Sequence, residues 1–156
     1  MADDPQLLTD IRLALRHSSL RPIYVAGEVE RRVTTRQASR VLTDLALVSG
    51  RDNLGQAVLM RLLTPRGELA ELAHPEYGSR LHELIGRQNT ETTRNLARLY
   101  ILESLEQEPR IEKVLEVGVA PSPGTRDRVD VLLRVQPIGP IGQNGALSLG
   151  PFTLEL

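Results

Sequence analysis

The strongest constraint in this chain is a change of hydrophobic period at Pro109. Before it, Leu96, Leu99, Leu102 and Leu105 recur at helical spacing, and Ala97, Tyr100 and Ile101 widen the stripe. After it, Leu115, Val117 and Val119 alternate, and so do Val129, Val131, Leu133 and Val135 beyond the Pro-Ser-Pro-Gly link at 121–124. A proline has no N–H to donate and ends a helix. The spacing therefore predicts one long helix over 90–107, capped by Thr90, followed by strands. Helices first and strands last is an α+β layout, with the helices packed on a small antiparallel or mixed C-terminal sheet.

Upstream, residues 41–48 read as a strand or an extended entry closed by Ser49-Gly50. Asp52 can cap a second helix carrying Leu54, Ala57, Val58, Met60, Leu62 and Leu63, which Thr64-Pro65-Arg66-Gly67 stops. An extended piece from Glu68 to Ala73 is expected next, then a short helix with Leu81, Leu84 and Ile85 that ends at Gly86. The first residues also read as a helix: Asp4 caps it, Pro5 suits its first position, and Leu7, Leu8, Ile11, Ala14 and Leu15 form the stripe. Between them, Tyr24, Val25 and Val29 suit strands. Arg31, Arg32, Arg36 and Arg40 punctuate that stretch, either to meet an acidic partner or as a solvated face.

Composition removes several classes of function. A net charge of −1 argues against a dedicated nucleic-acid binder, and three Tyr, one Phe and no Trp leave few rings for bases or sugars to stack on. Without cysteine there is no disulfide framework or thiolate chemistry. No apolar run approaches a membrane span, and the acidic start is unlike a signal peptide, so assembly in the cytoplasm is the expectation. No phosphate-binding loop or G-x-S-x-G elbow is present. His74, Glu76 and His82 have no metal-ligand spacing and read as surface residues. No metal, no cofactor and no catalytic residue is expected. The competing enzyme reading is a peptidoglycan hydrolase using two of Glu68, Glu71 and Glu76, since glycoside hydrolysis needs only a pair of carboxylates.

Two places point to interaction. In Glu108-Pro109-Arg110 a glutamate sits where the negative end of a helix dipole disfavours it, and the following arginine can pair with it or with the free carbonyls. A plain stop signal with two solvated charges is the alternative there. The chain then runs through a glycine-containing arm (Gly139, Gly142, Gly145) into the alternating Phe152-Thr153-Leu154-Glu155-Leu156. That strand can pair inward with 127–135, offer an open edge to a partner, or do both.

Three stretches resemble the baseplate-wedge, or sheath-initiator, family of contractile-tailed phages. They are LLTPRGELAELAHPEYGSRLHELIG at 62–86, TETTRNLARLYILESLEQ at 90–107 and EPRIEKVLEV at 108–117. This is the lysozyme-like baseplate family, with relatives in R-type pyocins, extracellular injection systems and type VI secretion baseplates. The resemblance covers about residues 41–156; residues 1–40, read as a helix plus a polar stretch, depart from the smaller phage members. It implies a non-enzymatic adaptor, six to a baseplate, that links the wedge to the first sheath ring. Glu108, Pro109 and Arg110 would dock on the wedge core bundle, and the strand Phe152–Leu156 would template sheath subunits by strand addition. Inner tube or hub proteins are further implied neighbours. No nucleic acid and no membrane insertion enter. The expected location is a cytoplasmic assembly site, then the baseplate of a virion or injection particle.

Overall fold

A computed structural model describes residues 7–17, 22–34, 39–139 and 145–156. The chain divides into two compact units, residues 1–56 and 57–156. The expected division at 40 follows the extent of a family resemblance, which is a different property from compactness.

The first unit is built from three two-stranded antiparallel ribbons. Strand β1 (Thr9–Ile11) pairs with β6 (Leu47–Ser49), β2 (Leu13–His17) with β3 (Pro22–Ala26), and β4 (Glu28–Thr34) with β5 (Ser39–Leu45). They meet at a closed ring of backbone hydrogen bonds. The N–H of Arg12 donates to the carbonyl of Ala46 (2.8 Å), that of Ala46 to Gly27 (2.8 Å), and that of Gly27 to Arg12 (2.7 Å). A Cβ on Gly27 would stand 3.2 Å from the Arg12 carbonyl oxygen and 3.3 Å from the Ala46 Cβ, so the junction suits glycine.

The helix expected over the first residues is not what forms. Asp4 and Pro5 lie outside the described residues, and 9–11 and 13–17 are strands. The periodic stripe does not face one core: Leu7 is buried, whereas Leu8 and Ile11 are exposed. The backbone of this segment is committed instead to remote partners at 47–49 and to the start of helix α1 (Gly50–Leu63). Asn53 Nδ2 donates to the Leu7 carbonyl (3.0 Å), Gln56 Nε2 to that of Ile11 (2.9 Å), and the Leu13 N–H donates to Gln56 Oε1 (2.8 Å).

The second unit matches its expectation more closely. Helix α2 (Glu91–Leu105) starts at Thr90, whose Oγ1 accepts the Thr93 N–H at 3.2 Å. It packs on β7 (Ile111–Pro121), the first strand of an antiparallel sheet ordered β7-β8-β9, with β8 Arg128–Pro137 and β9 Leu147–Glu155. Along β8, Val129, Val131, Leu133 and Val135 are each 0% exposed, while Arg128, Leu132 and Arg134 face solvent. That strict alternation fixes the register, since a one-residue slip would turn every valine outward. Val58, Leu62, Leu84, Ala97, Ile101 and Leu105 complete the core. The fold is α+β with a three-stranded C-terminal sheet, as expected.

Two local details differ from expectation. The piece from Glu68 to Ala73 holds a 3-10 turn, Ala70–Leu72, rather than an extended segment. Among the described residues no strand pairs with it, and local bonds from the Leu72 N–H to the Leu69 carbonyl (3.0 Å) and the Ala73 N–H to the Ala70 carbonyl (3.1 Å) serve its backbone instead. The last strand starts at Leu147, not Phe152, because a bulge interrupts it. Val131 faces Phe152 and Leu133 faces Leu149, so Gly150 and Pro151 share the position opposite Leu132.

Candidate functional site

Tyr77-Gly78-Ser79 is stitched to the end of α1. The Ser79 N–H donates to the Thr64 carbonyl (2.8 Å), the Arg66 N–H to that of Ser79 (2.8 Å), and Ser79 Oγ to that of Leu62 (2.6 Å). Gly78 holds φ +106°, and a Cβ there would overlap the Thr64 carbonyl oxygen. Ser104 Oγ on α2 donates to the Gly78 carbonyl at 3.0 Å. This stitching brings Tyr77 beside Arg61 of α1, with the guanidinium carbon 4.5 Å from the ring centroid.

Glu108 enters the same place from beyond the end of α2. It is 4% exposed, and its carboxylate accepts two side-chain bonds from Arg110, Nε to Oε1 at 2.6 Å and Nη2 to Oε2 at 3.1 Å. The Arg110 N–H adds a bond to Oε1 (3.3 Å), and Arg61 Nη2 stands 3.6 Å from Oε2. The reading of two solvated charges at this stop is thereby corrected: Glu108 is buried and ion-paired, because the chain turns inward after Leu105. Pro109 is exposed between its two neighbours. The guanidiniums of Arg110 and Arg61 thus both stand against the one carboxylate. The Arg61 Nε is buried without a hydrogen-bond partner.

Protonation follows from this packing. Burial pushes the Glu108 pKa up, but the bonds and charge of Arg110, helped by Arg61, outweigh it and hold the group below the ordinary glutamate value. Burial also raises the Tyr77 pKa, with Glu108 adding to it against the lowering charges of Arg61 and Arg110. The carboxylate is therefore ionised and the phenol neutral around pH 7. Sequence reasoning finds Glu108 and Arg110 but misses Arg61 and Tyr77, because Arg61 lies on a helix whose spacing gives no sign that a charge turns inward.

The second predicted site lies on β9. Glu155 pairs with Arg128 and bonds its Nη2 at 2.7 Å, Thr153 Oγ1 donates to Asp130 Oδ1 at 3.0 Å, and Phe152 and Leu154 are half-buried. Leu156 is buried, and its N–H donates to the Asp127 carbonyl at 2.8 Å. Bonding direction alternates along an antiparallel strand, so Leu154 and Phe152 also bond inward while Thr153 and Glu155 turn their N–H and C=O groups away from β8. Inward pairing is thus realised, and among the described residues no strand covers the outer edge of β9. Of the preceding arm, Gly142 lies outside the described residues.

The remaining candidates are dispersed on the surface. Glu68, Glu71 and Glu76 are all exposed, and Glu76 pairs with Arg66 at 4.0 Å. His74 and His82 are exposed, and no group of three candidate metal ligands occurs among the described residues. Among the described residues no helix is long and apolar enough to cross a membrane.

No family model and no curated protein matches the sequence. Among solved structures, the chain is similar to a crystal structure from Geobacter sulfurreducens described as a candidate tail lysozyme. The identity is 22% and the TM-score 0.59, over 72% of this chain and 96% of that one. At that level of identity the likeness is one of fold: this chain folds like that protein over most of its length.

Proposed function

We propose that this chain is a non-enzymatic structural part of a phage tail or related contractile injection machine, seated in its baseplate. In this reading Glu108, Pro109 and Arg110 dock on other wedge proteins at their core bundle. The outer edge of β9 receives a strand from the first ring of sheath subunits. Six copies surround the tube, inner tube or hub proteins lie nearby, and the part assembles in the cytoplasm before residing in the particle.

The observation that carries the reading is the outer edge of β9, where Thr153 and Glu155 present outward backbone groups and no strand of the described chain takes them. Its likeness in fold to a protein described as tail-associated supports the same setting. The bulge at Gly150-Pro151 divides the edge, so an incoming strand pairs with 152–155 rather than with the whole of β9. Thr153→Pro removes an outward N–H and leaves the inward ladder untouched, whereas Thr153→Val keeps that N–H. Baseplates carrying the proline variant are expected to form without sheaths, and those with the valine variant to form sheathed particles. Sheathed particles from both would defeat the strand-addition reading.

The description of the similar structure favours a second reading, a peptidoglycan hydrolase using two of Glu68, Glu71 and Glu76. Clearing of a cell-wall suspension that disappears when one of these glutamates becomes glutamine would replace the structural reading.

A further inference from the structure

We propose that the β4–β5 ribbon joins two copies of this chain, edge to edge along β5, into a four-stranded antiparallel sheet. This inference is independent of the tail reading and rests on the first unit alone. Every residue of β4 and of β5 is exposed, and a lone two-stranded ribbon is marginal in water, whereas three or more strands with an apolar face are stable. The register sets Val29 opposite Asp44, Arg31 opposite Leu42 and Val33 opposite Arg40. These six residues share one face, on which Val29, Val33 and Leu42 are exposed at 48%, 38% and 52%.

The sequence of β5 specifies the occupant. It reads Ser39-Arg40-Val41-Leu42-Thr43-Asp44-Leu45. When a second β5 is laid antiparallel on it about a two-fold axis at Leu42, Leu42 meets Leu42 and Val41 meets Thr43. Arg40 of each copy then meets Asp44 of the other, and opposite charges directly across a ladder attract. Centring on Val41 or Thr43 pairs no opposite charges. The outer edge of β4 is unsuited, because centring on Glu30, Arg31 or Arg32 sets each against its own like charge. Asp44 already stands 3.9 Å from Arg31 of its own ribbon, with both side chains exposed, so it is free to sit between that arginine and Arg40 of the second copy. The paired sheet sets the Leu42 side chains of the two copies side by side, with Val29 and Val33 of each ribbon diagonal to them on the same face.

Sedimentation equilibrium of the full chain tests this. The wild type is expected to rise with concentration from the 17.3 kDa monomer toward about twice that mass. Asp44→Arg and Arg40→Asp alone should each weaken dimerisation about tenfold or more, and the double exchange should restore it. A thermal melt of each variant checks that the ribbon substitutions leave the fold intact. A wild type that stays monomeric to about 1 mM, single reversals without effect, or a double exchange that fails to recover the dimer would each overturn the proposal.

Discussion

Glu108 lies at the centre of the buried ionic cluster of the second unit. Its carboxylate is the counter-charge for Arg110 at 2.6 Å and Arg61 at 3.6 Å, both largely buried. Removing one member of such a set costs roughly 3–5 kcal/mol, because the remaining charges stay desolvated and unpaired. Glu108→Gln should lower the unfolding free energy on that order. The pH dependence has a definite sign. Because the folded pKa lies below the unfolded one, the contribution is present above the unfolded value of about 4.3 and is lost as pH falls through the folded value. Denaturant melts between about pH 3 and pH 7 should therefore show an acid-side loss in the wild type that shrinks in Glu108→Gln. Equal slopes in the two proteins would separate Glu108 from the cluster. In the sequence the Glu-Pro-Arg triplet is visible, but its burial is not, since the side chains that receive it come from α1 and from Tyr77.

Elements were legible in proportion to how local their causes are. Thr90, the leucine stripe and Pro109 define α2 within a single window, and alternation along β8 reports its buried face directly. The start of β9 was hidden because the bulge shifts the phase, from Leu147 and Leu149 on one side to Phe152 and Leu154 on the other. The first strands are not legible because β1 is specified by residues 47–49, beyond the reach of any local pattern, while Leu7, Leu8, Ile11 and Leu15 mimic the stripe of a helix. The Tyr77-Gly78-Ser79 turn ties the end of α1 to α2 through Thr64, Leu62 and Ser104. Gly78→Ala must place a side chain at φ +106° against the Thr64 carbonyl, so a loss of about 1–3 kcal/mol in a thermal or denaturant melt is expected. Wild-type stability in that variant would mean the turn can open without cost.

At the scale of the whole molecule, the chain has one unit of three two-stranded ribbons and one packed α+β unit with a three-stranded sheet. In the proposed reading, the outer edge of β9, which no strand among the described residues covers, offers backbone groups to a neighbour. That offer can be read atom by atom. In the isolated protein the amides of Thr153 and Glu155 face away from β8 and should exchange with deuterium rapidly, while those of Phe152 and Leu154 are slowed by the ladder. The measurement is their exchange in assembled, sheathed particles: strong slowing at Thr153 and Glu155, with little change at Phe152 and Leu154, is the outcome expected of strand addition, and exchange as fast as in the free protein would contradict it.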